Sequence, residues 1–306
     1  MKKFMLIVFT FLVAFVMISC KEKEKEAPLK VILPSGTPLL AMGSVYNDSD
    51  NFSLEVVNGQ DSLQAAFLSG EYDLIIAPFN LGAKLYLAGK SEYKLEAIIT
   101  TNNTYIISRS EISDINDIKG KSVMTYGTGS SPWLGYKTVV DKYELGTTEV
   151  PQSSAGDVAT MFASGSTDAD YFLSAEPNIT TLRVGKGLTV YALDISKYLP
   201  EGNILIQACL FVNPKSNVSK ERLALIENGI KAMNDKPKEY SSKVKEYADF
   251  FKSLGENVIE QAIPNCNSTY LKAKDNKKLI DDFCGLLNKY SPKVLEGKTM
   301  DEVFYN

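Results

Sequence analysis

Residues 59–78 read GQDSLQAAFLSGEYDLIIAP, and residues 156–177 read GDVATMFASGSTDADYFLSAEP. Each stretch has an early aspartate, then apolar residues at helical spacing up to a phenylalanine, then a Ser-Gly pair and a run that ends in proline. The spacing predicts a helix N-capped by Asp61 or Asp157, stopped at Ser69-Gly70 or Ser164-Gly165, and followed by a strand reaching Pro78 or Pro177. Residues 72–78 are apolar without alternation, as a strand covered on both faces of a parallel sheet requires. The duplication implies two lobes of like construction.

Outward from these stretches the same grammar recurs. Residues 29–33 form an apolar, β-branched run that ends at Pro34-Ser35-Gly36-Thr37-Pro38, read as a strand, a turn and a helix opening at Pro38. In the second half, residues 122–126 run into Gly127-Thr128-Gly129-Ser130-Ser131-Pro132-Trp133 and a helix carrying Leu134, Thr138 and Val139. Strands at 52–57 and 95–101 and a short helix at 82–88 complete the first layer. Alternation at this spacing calls for sheets with helices on both faces.

After a strand within residues 204–212, the pattern changes to amphipathic helices at 220–233, 237–254 and 277–290, with no further strand. Helices that pack back on the first lobe require two crossings between lobes, near residues 102–108 and 206–213, and two crossings make a hinge. The expected fold class is α/β: two similar α/β lobes with a central cleft and two hinge crossings. Lobe 1 is expected at 29–103 and 209–306, and lobe 2 at 104–208.

The N-terminus sets the compartment. Lys2 and Lys3 precede an apolar run at 4–18, which reads as a secretory signal at residues 1–19 and is short for a bilayer span. Met17-Ile18-Ser19-Cys20 resembles a lipobox, which implies lipidation of Cys20; an ordinary signal or an uncleaved anchor is the alternative. The Lys/Glu alternation that follows makes residues 20–28 a solvated, lipidated tether. Three cysteines remain, so at most one disulfide forms among them, and Cys209 sits in an apolar stretch that suits a buried thiol.

Composition narrows the function. With 44% hydrophobic and 23% charged residues the chain has enough apolar side chains for a core. A net charge of −4 and only three arginines, Arg109, Arg183 and Arg222, argue against nucleic acid as a partner. The absence of histidine removes the commonest general base and metal ligand. No paired-carboxylate motif or nucleophile elbow appears, so no catalysis, no cofactor and no metal is expected.

Leader, tether, duplicated lobes and helical C-terminal third together resemble the type II periplasmic binding proteins of ABC importers, and within them the nitrate/sulfonate/taurine and thiamine-pyrimidine-precursor group. The carriers are Ser35-Gly36-Thr37-Pro38, Leu68 to Asp73 with Ala77-Pro78, Gly127 to Ser131, and Ala175-Glu176-Pro177. The resemblance implies a solute-binding lipoprotein on the outer face of the cytoplasmic membrane or in the periplasm, monomeric, that hands a small polar or heteroaromatic molecule to an ABC permease. An enzyme on the same fold is the alternative.

The resemblance also implies that loops at strand C-termini line the cleft: residues 35–38, 78–82 and 127–133, with 171–177 as a fourth wall. Ser35, Gly36 and Thr37, with Thr128, Gly129, Ser130 and Ser131, offer hydroxyls and helix-start amides that hold oxygen-rich groups without arginine. Asn80 belongs to the second loop. Trp133, Phe79 and Tyr171 offer aromatic faces for a flat ligand, core packing being the rival reading. Glu176 at a strand end either accepts from a ligand amine or is an exposed carboxylate with no role.

Overall fold

The computed structural model describes residues 26–306. The expected signal at 1–19 and Cys20 lie outside these residues; residues 26–28 of the expected tether are exposed and carry neither helix nor strand.

Lobe 1 opens with β1 (Leu29–Pro34), α1 (Thr37–Met42), β2 (Phe52–Val57), α2 (Gln60–Ser69), β3 (Leu74–Pro78), α3 (Phe79–Leu87) and β4 (Lys94–Thr100). The chain then enters lobe 2 through β5 (Tyr105–Ser108) and continues as β6 (Ser122–Tyr126), α4 (Ser131–Lys142), β7 (Thr148–Gln152), α5 (Ala155–Ser164), β8 (Tyr171–Ser174) and β9 (Tyr191–Asp194). It returns as β10 (Ala208–Val212). The remainder is α6 (Lys220–Asp235), α7 (Pro237–Val244), α8 (Asp249–Leu254), α9 (Glu256–Ala262), β11 (Ser268–Lys272) and α10 (Lys277–Tyr290).

The two sheets have the same plan. Lobe 1 orders its strands β11-β4-β10-β3-β1-β2 and lobe 2 orders them β7-β6-β8-β5-β9. The first βαβ strand of each lobe, β1 or β6, pairs in parallel with both following strands. In each lobe the strand that arrives from the other lobe, β10 or β5, runs antiparallel between its neighbours. The hinge is therefore a pair of strand entries, held side by side by an antiparallel bridge between Thr101 and Ile206.

Both faces of the lobe 1 sheet are buried, because Val31 and Leu33 face one apolar cluster while Ile32 faces another. The first cluster lies under α1 and the C-terminal helices. The second spreads from Phe79 and Phe211 through α10 to Leu134 and Val139 of α4, so apolar packing crosses from one lobe to the other. A separate cluster around Met124, Phe162 and Phe172 fills the far side of lobe 2.

The duplicated stretches end their helices in the same way: Gly70 at φ 68° and Gly165 at φ 69°, each the second residue of its Ser-Gly pair, take the left-handed conformation, where a side chain would be strained. Their starts differ from the expectation. Gly59 and Ser154 occupy the caps, with Ser154 accepting from the Asp157 amide, and the two aspartates sit inside the first turn, where they face the positive end of the helix dipole.

Two further expectations need correction, whereas the reading of the cysteines stands. The helix expected at 237–254 is two helices, broken between Val244 and Asp249. A strand does follow, since β11 adds an antiparallel edge to β4. Cys209, Cys266 and Cys284 are all free and buried, so none of the three is in a disulfide.

Candidate functional site

In an open α/β sheet the strand flanked on both sides by its successors leaves a crevice at its C-terminal end. Here β1 and β6 are those strands, and the helices that follow them, α1 and α4, start without a side-chain cap and with a proline in the first turn. The helix-start amides of Thr37 and Ser131 therefore lack an intrahelical partner and carry positive partial charge. The two starts face each other across a cavity of about 200 Å³.

Its wall is built at strand ends. Pro34, Pro78 and Thr100 close β1, β3 and β4, Ala175 and Glu176 follow β8, and Ala208 begins β10. Four prolines, Pro34, Pro38, Pro78 and Pro132, give rigid apolar surface. The polar lining comes from Thr37, Gln60, Thr100, Asn103, Ser130, Ser131, Glu176 and Gln207. Glu176 is the one ionisable residue among the lining groups, and no aromatic residue is among them.

Two of these polar atoms are conspicuous energetically. Thr100 Oγ1 and Ser130 Oγ are buried and have no hydrogen-bond partner, as does Asn80 Oδ1 beside the cavity. A buried hydroxyl left unpaired costs about 1–3 kcal/mol, and Ser44, Ser174 and Ser268, outside the lining, are in the same state.

Of the remaining polar groups, Thr37, Asn103, Glu176 and Gln207 are bonded to one another. Thr37 Oγ1 donates to the Glu176 carbonyl at 2.8 Å, and Asn103 Nδ2 donates to both Thr37 Oγ1 and that carbonyl at 3.0 Å. The Glu176 amide donates to Asn103 Oδ1 at 2.8 Å. Gln207 ties the crossings together, accepting from the Asn103 amide and donating to its carbonyl, each at 2.9 Å. Ser131 Oγ donates to the Ile206 carbonyl.

Glu176 is neither exposed nor free. It is 5% exposed, and its carboxylate accepts from the Thr180 amide at 3.0 Å and the Thr180 hydroxyl at 2.9 Å, capping the helical turn at Asn178–Thr180. Burial pushes its pKa up, opposed by the two Thr180 bonds and the charge of Arg183.

Of the residues anticipated from the sequence, Thr37, Ser130, Ser131 and Glu176 line the cavity. Ser35 donates to Asn58 Oδ1, and Asn80 Nδ2 reaches the Gly129 carbonyl at 3.3 Å across the cleft mouth. Thr128 is exposed, and Gly36 and Gly129 shape the turns before the two helices.

The three aromatics stand elsewhere. Phe79 is fully buried edge-on against Phe283 and Phe304, because the first residue of α3 turns under the sheet. Trp133 is half-buried, packed on the core with its indole N–H on Glu149 at 2.9 Å. Tyr171 begins β8, paired with Val123 at the opposite end of the strand from the cleft. Thr100, Asn103, Gln60 and Gln207 were not anticipated. The strand-end rule would have found Thr100, whereas the two hinge amides have no sequence signature.

No protein-family model and no curated protein matches this chain. Solved structures do. An ABC transporter structure from Parabacteroides distasonis has a TM-score of 0.74 at 19% identity, covering 92% of this chain and 99% of that one. The periplasmic aliphatic sulphonate binding protein SsuA of Escherichia coli has a TM-score of 0.68 at 13% identity, covering 92% of each chain. A ligand-binding component of an ABC-type import system from Staphylococcus aureus, with zinc bound, gives 0.63 at 12%, covering 91% and 98%. The fold is that of the type II periplasmic binding proteins, as the sequence implied.

Proposed function

We propose that the chain is an extracytoplasmic solute-binding protein that captures a small polar molecule between its lobes and delivers it to an ABC importer permease, without catalysis. The observation that carries this reading is the cavity at the two strand ends, where two uncapped helix starts face each other and Thr100 and Ser130 join the polar lining. Such a site binds by hydrogen bonding and closure. The one ionisable group in its lining, the Glu176 carboxylate, is already engaged by Thr180.

At about 200 Å³ the cavity is smaller than the 300–1,000 Å³ usual for drug-sized ligands, so the solute is compact. Helix starts and hydroxyls favour oxygen-bearing acceptor groups. A heteroaromatic ligand, the other expectation, has no aromatic face to stack on within the lining, which favours the polar alternative.

In this reading residues 1–19 direct export, Cys20 carries the lipid, and residues 20–28 lift the lobes off the membrane. Among the described residues no helix is long and apolar enough to cross a membrane. Sheet membership supports lobes at 29–103 with 209–306 and at 104–208.

A thermal-shift screen against sulfonates, carboxylates, amino acids, pyrimidines and oxyanions tests the proposal. A solute at a hundredfold excess over its dissociation constant stabilises by about 2.7 kcal/mol, which raises the melting temperature by roughly 5 °C. No shift with any class, or turnover of a hit by the purified chain, contradicts it.

A further inference from the structure

We propose that the Thr37 side chain is a latch between the lobes and not a ligand contact, so that closure is held by protein groups alone, with Asn103 as the residue that positions the latch. The inference rests on the solute-binding reading for its biological meaning, but not for its test.

Antiparallel pairing of β5 with β8 sets Tyr105 opposite Ser174. Two residues further along the same ladder Asn103 faces Glu176, and there the side chain of Asn103 does what a backbone would. Its Oδ1 accepts from the Glu176 amide and its Nδ2 donates to the Glu176 carbonyl. Asn103 is thereby fixed to lobe 2, while Gln207 on the second crossing holds its backbone on both sides. It is 2% exposed, and each of its amide atoms is bonded.

Thr37 comes from the other lobe, as the first residue of α1, and is 6% exposed. Its hydroxyl gives its proton to the Glu176 carbonyl and takes one from Asn103 Nδ2. The bond to Glu176 spans the lobes; Asn103 stands on the first crossing and is tied to Glu176, so parting Thr37 from Glu176 also breaks its bond from Asn103. Asn103 and Glu176 remain bonded to each other when Thr37 leaves, so the receiving half of the latch keeps its geometry. The bond at the cleft mouth, from Asn80 to the Gly129 carbonyl, is longer at 3.3 Å and involves a residue with an unpaired Oδ1. The inner pair is the shorter of these two restraints; Tyr105 Oη adds another across the lobes, donating to the Asn265 carbonyl at 2.9 Å, beside the shared apolar packing.

A hydroxyl committed in this way has little capacity left for a solute, which reassigns Thr37 from recognition to closure. The chain then populates the closed form before any solute arrives, and solute capture waits on opening. The pair also explains why Glu176 is buried. By capping Thr180, its carboxylate anchors the peptide whose carbonyl receives Thr37.

Single-molecule energy transfer tests this on the full chain. Bio-orthogonal dyes replace the exposed Lys90 of lobe 1 and Lys186 of lobe 2, leaving the native thiols untouched. After exhaustive dialysis, and with no solute added, the wild type should show a majority closed population. Thr37→Val, which keeps shape and removes the hydroxyl, should lower the closed-to-open ratio about tenfold. Thr37→Ser should restore it.

Asn103→Asp keeps the acceptor for the Glu176 amide and removes the donor to Thr37, and should open the lobes as well. Circular dichroism and melting of each variant show whether it is folded. A wild-type distribution for folded Thr37→Val and Asn103→Asp, or a wild type without a closed population, overturns the latch. A chain that binds solute but shows no shift loses the latch alone. One that shows the shift but binds nothing keeps the latch and loses the import reading.

Discussion

Replacing Thr100 by valine separates a binding hydroxyl from a structural one, because the two roles move stability and affinity in opposite directions. Thr100 is 2% exposed at the end of β4, lines the cavity, and its Oγ1 has no partner in the protein. Desolvating an unpaired hydroxyl costs about 1–3 kcal/mol, and valine has nearly the same shape without that penalty. Thr100→Val should therefore stabilise the unliganded chain by about 1 kcal/mol or more, a rise of roughly 2 °C in melting temperature. A solute that bonds Oγ1 loses that bond, worth about 0.5–1.5 kcal/mol, so its affinity should fall two- to tenfold. Calorimetric melting gives the first quantity, and titration of a solute identified by thermal shift gives the second. A variant that melts lower and binds the solute as tightly as the wild type would refute the reasoning, since it would place Thr100 among ordinary packing residues.

Other substitutions probe the site from different sides. Trp133→Phe should cost about 1 kcal/mol through the lost bond to Glu149, with solute affinity unchanged by titration, because the indole lies outside the cavity lining. Gly135→Ala should destabilise by about 1–3 kcal/mol in denaturant unfolding, since a Cβ there would lie 2.4 Å from Leu205 Cδ1 at the second crossing. Burial raises the Glu176 pKa above its ordinary 4.5, so the folded chain keeps that proton where the unfolded chain has lost it, and stability falls as pH rises between the two values. Glu176→Gln should gain on the wild type across that window and hold a constant advantage above it; parallel stability–pH curves would contradict this. Cys209, Cys266 and Cys284 are buried with thiol pKa values pushed up by desolvation, and peptide mapping should find them unalkylated by iodoacetamide until denaturant is added.

The lobes were legible because their signals are local. A Ser-Gly stop marks a helix end whatever it packs against, and the unbroken apolar run before Pro78 has few homes other than the middle of a parallel sheet. The strand β11 was not legible: Ser268–Lys272 is short, lies among helices, and becomes a strand because β4 offers it an open edge. The aromatics misled for a related reason. A phenylalanine after a strand-ending proline looks placed for a cleft, yet the turn of α3 carries Phe79 inward to Phe283 and Phe304, residues more than two hundred positions away. Glu176 was read for its carboxylate, when its main-chain carbonyl receives the bond from Thr37 that joins the lobes and its amide holds Asn103. Asn103 and Gln207 are amides in an unremarkable stretch, and they matter through which strand each stands beside.

Filling the cavity gives the plainest test of where the solute sits. Ala175 lines it from the loop after β8 and is only partly buried, so Ala175→Phe places a ring in a space of about 200 Å³ with little strain on the sheets. Titration calorimetry of the identified solute should show affinity lost at least a hundredfold while the melting temperature stays within a few degrees of wild type. Undiminished binding to a folded Ala175→Phe chain would place the solute elsewhere on the molecule.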